Sequence, residues 1–121
     1  MAEFEIIEYQ GRKIHQLDLR GDGQSNEEEV LEAIDEMEDA VTSQPENSVL
    51  ALTLVRDTSY NKEILKRLKS LTKANKPYIE KSAVVGVSGL QKVALSGVKK
   101  FSGREFEQFD SVEEAKDYLV E

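Results

Sequence analysis

The chain has 121 residues, a formal net charge of -8 and no cysteine. That length suits one domain with a core of its own, and the missing thiols exclude disulfides, a thiol nucleophile and a zinc–thiolate site. No apolar run approaches the roughly 20 residues of a membrane span, and Met1-Ala2-Glu3-Phe4-Glu5 lacks the apolar stretch of a signal peptide, so a soluble cytoplasmic protein is expected.

The charge is segregated along the chain. Residues 1–48 hold 14 acidic and 3 basic side chains, residues 49–104 hold 3 acidic and 12 basic, and residues 105–121 hold 7 acidic and 1 basic. Such asymmetry marks either a basic face for an anionic partner or charges that pair across a soluble surface.

In chain order, Glu3 to Tyr9 and Lys13 to Leu19 are β-prone runs around Gln10-Gly11-Arg12, which reads as a hairpin. Neither run alternates cleanly, as expected of strands with both faces partly covered. After Gly21-Asp22-Gly23-Gln24-Ser25, Val30, Leu31, Ile34, Met37 and Val41 recur at helical spacing, predicting a helix over 26–43. Ser25 or Asn26 caps it, and Glu27, Glu28 and Glu29 suit its positive end. Pro45-Glu46-Asn47 turns the chain into Val49–Val55, an apolar run typical of a central parallel strand.

Ile64, Leu65, Leu68 and Leu71 then form one helical stripe, with Lys62, Lys66, Arg67, Lys69 and Lys73 on the other sides, and Asn75-Lys76-Pro77 stops that helix. A strand over Ser82–Val87 follows, then a helix carrying Leu90, Val93, Ala94, Val98 and Phe101, which ends at Ser102-Gly103. Glu105–Phe109 reads as a short strand, and Asp110 or Ser111 caps a final helix with Val112, Ala115 and Leu119. The order ββαβαβαβα predicts an α/β fold: a mixed sheet of about five strands, its hairpin antiparallel and its later strands parallel, flanked by about four helices. Ligands of open α/β sheets sit at the edge where strands give way to helices.

Two hydroxyl-rich loops occupy that edge. Asp57-Thr58-Ser59-Tyr60-Asn61 follows the central strand, and Gly86-Val87-Ser88-Gly89 follows the next one. Thr58 or Ser59 either caps the following helix or accepts a phosphate near Arg56 and Lys62. Small residues at Ser88-Gly89 either make a tight turn or let an anion approach backbone N–H groups, with Lys92 adding charge. The second loop lacks the length and lysine of a P-loop and the third glycine of a dinucleotide fingerprint.

Other patterns carry less. Asp18, Asp22, Gly23 and Glu29 match a calcium loop at four positions, but Arg20 stands where a ligand oxygen belongs. His15 is the lone histidine, so neither a Ser-His-Asp triad nor a two-histidine metal site can be assembled. Its place beside Ile14 in a strand suits a structural or surface role. The carboxylates cluster on predicted helices as solvated faces. No residues argue for chemistry on a substrate, for a metal or for a cofactor. Lys66, Arg67 and Lys69 form a basic stripe suited to acidic lipid head groups. Tyr60 and Tyr78 are too few for a base-stacking platform in an acidic domain, so no nucleic acid is expected.

The run from Lys76-Pro77-Tyr78 through Ser82-Ala83-Val84-Val85-Gly86-Val87-Ser88-Gly89-Leu90 to Leu95, then Phe101-Ser102-Gly103-Arg104 and Phe109-Asp110-Ser111-Val112 to Leu119, resembles the SpoIIAA-like family of STAS/SEC14-type bacterial domains. The resemblance extends over the whole chain, including Ser43 to Leu50 and Tyr60-Asn61. It implies one domain over 1–121 with a STAS-like mixed sheet and no catalytic activity. It also implies an interaction switch: in anti-sigma-factor antagonists a serine after the central strand is phosphorylated, and that place falls on Asp57-Thr58-Ser59. The antagonists' Asp-Ser-Ser-Gly-Leu signature is absent, with Tyr60-Asn61-Lys62 where its last residues would come.

The resulting expectation is a non-enzymatic regulatory or ligand-binding module of STAS type, monomeric or homodimeric. It would engage a protein partner or small anionic ligand through Asp57, Thr58, Ser59, Tyr60, Asn61, Ser88, Gly89 and Lys92, with Thr58 or Ser59 open to phosphorylation. The alternative is binding of a lipid or other amphiphile, as in the similar SEC14/CRAL-TRIO domains, with Lys66, Arg67 and Lys69 at a membrane surface.

Overall fold

In the computed structural model, residues 3–19, 27–54, 62–86 and 107–121 are described, the side chains of Glu27 and Leu65 excepted. They form a five-stranded mixed sheet and three α-helices: β1 (Glu3–Tyr9), β2 (Arg12–Asp18), α1 (Glu27–Thr42), β3 (Val49–Leu54), α2 (Lys62–Asn75), β4 (Ile79–Val85), β5 (Glu107–Phe109) and α3 (Val112–Val120). The spatial order equals the chain order, β1-β2-β3-β4-β5. β1 and β2 are antiparallel, and each later neighbour is parallel. The helix expected over 90–101 lies outside the described residues.

Local chemistry accounts for the turns. Gln10 and Gly11 both have positive φ, at 50° and 80°, and Tyr9 pairs with Arg12. That two-residue connection matches the twist of an antiparallel hairpin. Asn47, with φ of 56°, lets its own N–H reach the Pro77 carbonyl at 3.0 Å, while the Ser48 N–H reaches that of Tyr78. Ser111 caps α3, its hydroxyl accepting from the Glu114 N–H at 3.2 Å.

The boundary that differs most from the expectation is the start of β4. β4 begins at Ile79 rather than Ser82, because Lys76–Tyr78 forms one short 3-10 turn and delivers the chain to the sheet early. Pro77 at its start costs no hydrogen bond there, so the proline ends α2 without forcing a longer loop.

The core has two halves, one on each face of the sheet. β3 reads Val49-Leu50-Ala51-Leu52-Thr53-Leu54, and all but Thr53 are buried. Alternate residues therefore feed opposite faces. Leu17, Ala51 and Val84 face α1 and α2, joined by Ile34, Met37, Val41, Leu68 and Leu71. Ile14, Leu50, Leu52 and Ala83 face α3 through Ala115 and Leu119. α1 and α2 share one face, as two right-handed crossovers stepping the same way across the sheet require.

Candidate functional site

β3 and β4 are parallel and in register at their carboxyl ends, where Leu54 pairs with Val85. β2 ends alongside them, with Asp18 opposite Leu54 and the Leu19 N–H bonded to the Leu54 carbonyl at 2.8 Å. The chain thus leaves the two central strands at adjacent points of one sheet edge. Gly86 follows β4 with φ of 92°, a conformation that glycine adopts without steric cost.

The residues expected to work at this edge, Asp57, Thr58, Ser59, Tyr60, Asn61, Ser88, Gly89 and Lys92, lie outside the described residues. So do residues 20–26 of the calcium-loop pattern. Among the described residues, no group of three or more His, Asp or Glu is arranged to hold a metal ion. Among them, too, no helix is long and apolar enough to cross a membrane.

The basic residues of α2 separate into two sets. Arg67 points to α1: its Nε and Nη2 donate to Asp35 at 3.1 and 2.8 Å, and its Nη1 donates to Glu38 at 3.0 Å. Its charge is matched inside the chain, which bolts α2 to α1. Lys62, Lys66 and Lys73 are exposed and Lys69 is half-buried, on the side of α2 away from the sheet. An open groove of about 640 Å³ runs beside them, lined by Lys66, Lys69, Ser70, Lys73 and Ala74. Small side chains at Ser70 and Ala74 leave that space. Of the three basic residues expected at a membrane surface, Lys66 and Lys69 border the groove and Arg67 does not.

Two buried polar groups stand apart. His15 is 5% exposed on β2, and neither ring nitrogen has a hydrogen-bond partner. It shares the helix-covered face with Leu17, and the Phe4 ring lies 6.0 Å from it. Burial holds its pKa below the usual histidine value, with Lys13 adding to the effect. Asn75, at the end of α2, is fully buried with both side-chain polar atoms unpartnered. The sequence carried a signal for it, since Ile64, Leu68, Leu71 and Asn75 continue one helical stripe. For His15 the only signal was its neighbour Ile14.

No family model, curated protein or solved structure matches this chain.

Proposed function

We propose that this chain is a non-enzymatic regulatory or ligand-binding module of SpoIIAA-like, STAS type. It takes a protein partner or a small anionic ligand at the edge where β3 and β4 end. The observation that carries this reading is the pairing of Leu54 with Val85, which starts segments 57–61 and 88–92 from neighbouring strand ends. Ligands of open α/β sheets bind beyond the carboxyl ends of their parallel strands, and β3 and β4 present theirs side by side. Hydroxyls at Thr58 and Ser59 and the glycine-rich Gly86–Gly89 segment supply donors and close backbone approach for an anion. The positive φ of Gly86 fits a tight departure from β4.

The test is a titration of isotope-labelled protein with inorganic phosphate and with a phosphoserine peptide, followed by amide chemical shifts. Shifts confined to residues 57–61 and 86–92, and abolished in a Thr58→Ala, Ser59→Ala, Ser88→Ala variant, are expected. Intact mass spectrometry of natively expressed protein reads covalent phosphate at Thr58 or Ser59 separately. Shifts centred elsewhere, or none with either probe and no phosphate adduct, would rule this reading out.

A further inference from the structure

The layer formed by α1 and α2 is electrically two-sided, and we infer that it is a self-complementary interface for a second copy of this chain. α1 carries eight acidic and no basic residues. α2 carries five basic residues and Glu63. Both helices use one pattern. In α1, Val30, Ile34, Met37 and Val41 are buried, while Glu28, Glu32, Asp35 and Asp39 are exposed. In α2, Ile64, Leu68, Leu71 and Asn75 are buried, while Lys62, Lys66, Lys69 and Lys73 lie about half a turn away. Each outward ridge steps by four, three and four residues. One ridge is wholly acidic and the other wholly basic.

Tertiary structure sets the two ridges side by side. α1 and α2 cover the same face, each following a strand of one parallel set, so they run in the same direction. Arg67 on α2 reaches Asp35 and Glu38 on α1, which brings the ridges to overlapping heights, within about one helical turn.

These facts select one symmetry. A two-fold axis parallel to the helices, above the seam between them, lays the acidic ridge of each copy along the basic ridge of the other. An axis in the same plane but across the helices would stack acid on acid and base on base. The matched steps let Lys62 and Lys66 meet ridge carboxylates of the second copy, while Asp35 stays with Arg67 of its own chain, and the groove beside Lys66, Lys69 and Lys73 faces the second copy's α1. A two-fold contact of this kind closes on itself and stops at a dimer.

A flat anionic bilayer is a poorer partner. It would meet both helices together, and their eight carboxylates outnumber the five cations. A bipolar surface calls for a bipolar partner, and this chain supplies one. The net charge of -8 opposes association through unpatterned surface, so pairing depends on the matched ridges.

Sedimentation equilibrium tests this with the full chain. At about 0.01 M salt the weight-average mass should rise with concentration toward twice the 13.6 kDa of one chain. At about 1 M salt, where the Debye length falls from about 30 Å to about 3 Å, it should return to that of the monomer. Lys66→Glu with Lys73→Glu, and separately Glu32→Lys with Asp39→Lys, should each abolish self-association while circular dichroism stays that of the wild type. Mixing these two variants in equal amounts should restore a dimer, since each then offers the ridge the other needs. A wild type that stays monomeric at low salt, a variant that still dimerises alone, or a mixture that stays monomeric would overturn the inference. So would salt-sensitive sedimentation with phosphatidylserine vesicles in place of self-association.

Discussion

Replacing His15 by leucine isolates the energetic consequence of a buried, unpartnered imidazole. In the fold this ring is 5% exposed, with neither nitrogen hydrogen-bonded, and burial lowers its pKa below 6.5. Above pH 6.5 the ring is neutral in both folded and unfolded chains, so pH has no leverage through it. As pH falls through 6.5 the unfolded chain binds the proton first and is stabilised. Stability then drops by up to about 1.4 kcal/mol per pH unit until the folded ring protonates as well. One unit of acidification thus costs up to about 1.4 kcal/mol of a total near 5–15 kcal/mol, or roughly 4–7 °C in Tm for a chain of this size. Urea titrations at pH 7.5, 6.5 and 5.5 on both proteins measure it. Carboxylates titrate in both alike, so the difference between the two profiles belongs to His15. His15→Leu also removes two buried polar atoms, for an expected gain of about 1–3 kcal/mol at pH 7.5. A wild-type profile flat between pH 7.5 and 5.5, or a variant with the same acid slope, would refute the reasoning.

Three further substitutions probe the scaffold. Arg67→Ala breaks the contacts with Asp35 and Glu38 and should cost about 1–2 kcal/mol in urea denaturation at low salt. Because two carboxylates on α1 lose their cation, the loss should shrink in about 1 M salt; a salt-independent loss would point to packing instead. Asn75→Leu should stabilise by about 1–2 kcal/mol, because the side chain is fully buried and unpartnered and makes no capping hydrogen bond; destabilisation would mean that its polar atoms are satisfied in solution. Leu52→Ala, at a position with no exposed surface, should cost about 2–5 kcal/mol, and a loss under about 1 kcal/mol would contradict the position of β3 between two covered faces.

Much of this fold was legible in local pattern. The apolar run Val49–Val55 announced a strand covered on both sides, and residues 49–54 do feed both halves of the core. Gln10-Gly11-Arg12 announced the hairpin, and Asp110 or Ser111 the cap of α3, which Ser111 supplies. Residues one turn or one strand apart interact directly, so their spacing carries that information. The start of β4 was misjudged by three residues, because the short turn at Lys76–Tyr78 leaves no periodic trace.

The candidate site divides along the same line. The order of strands and helices pointed to the edge after β3 and β4, whereas the register of Leu54 with Val85 is a property of the folded sheet. Likewise the acidic ridge of α1 and the basic ridge of α2 can each be read from spacing alone. Their juxtaposition, and the removal of Arg67 from the basic set by Asp35 and Glu38, cannot. Those contacts join residues about thirty positions apart in sequence, and periodicity within one helix says nothing about which neighbour it meets. His15 is the clearest case: Ile14 beside it suggested a structural or surface place, and only the folded chain took its ring out of water and left both nitrogens unpartnered.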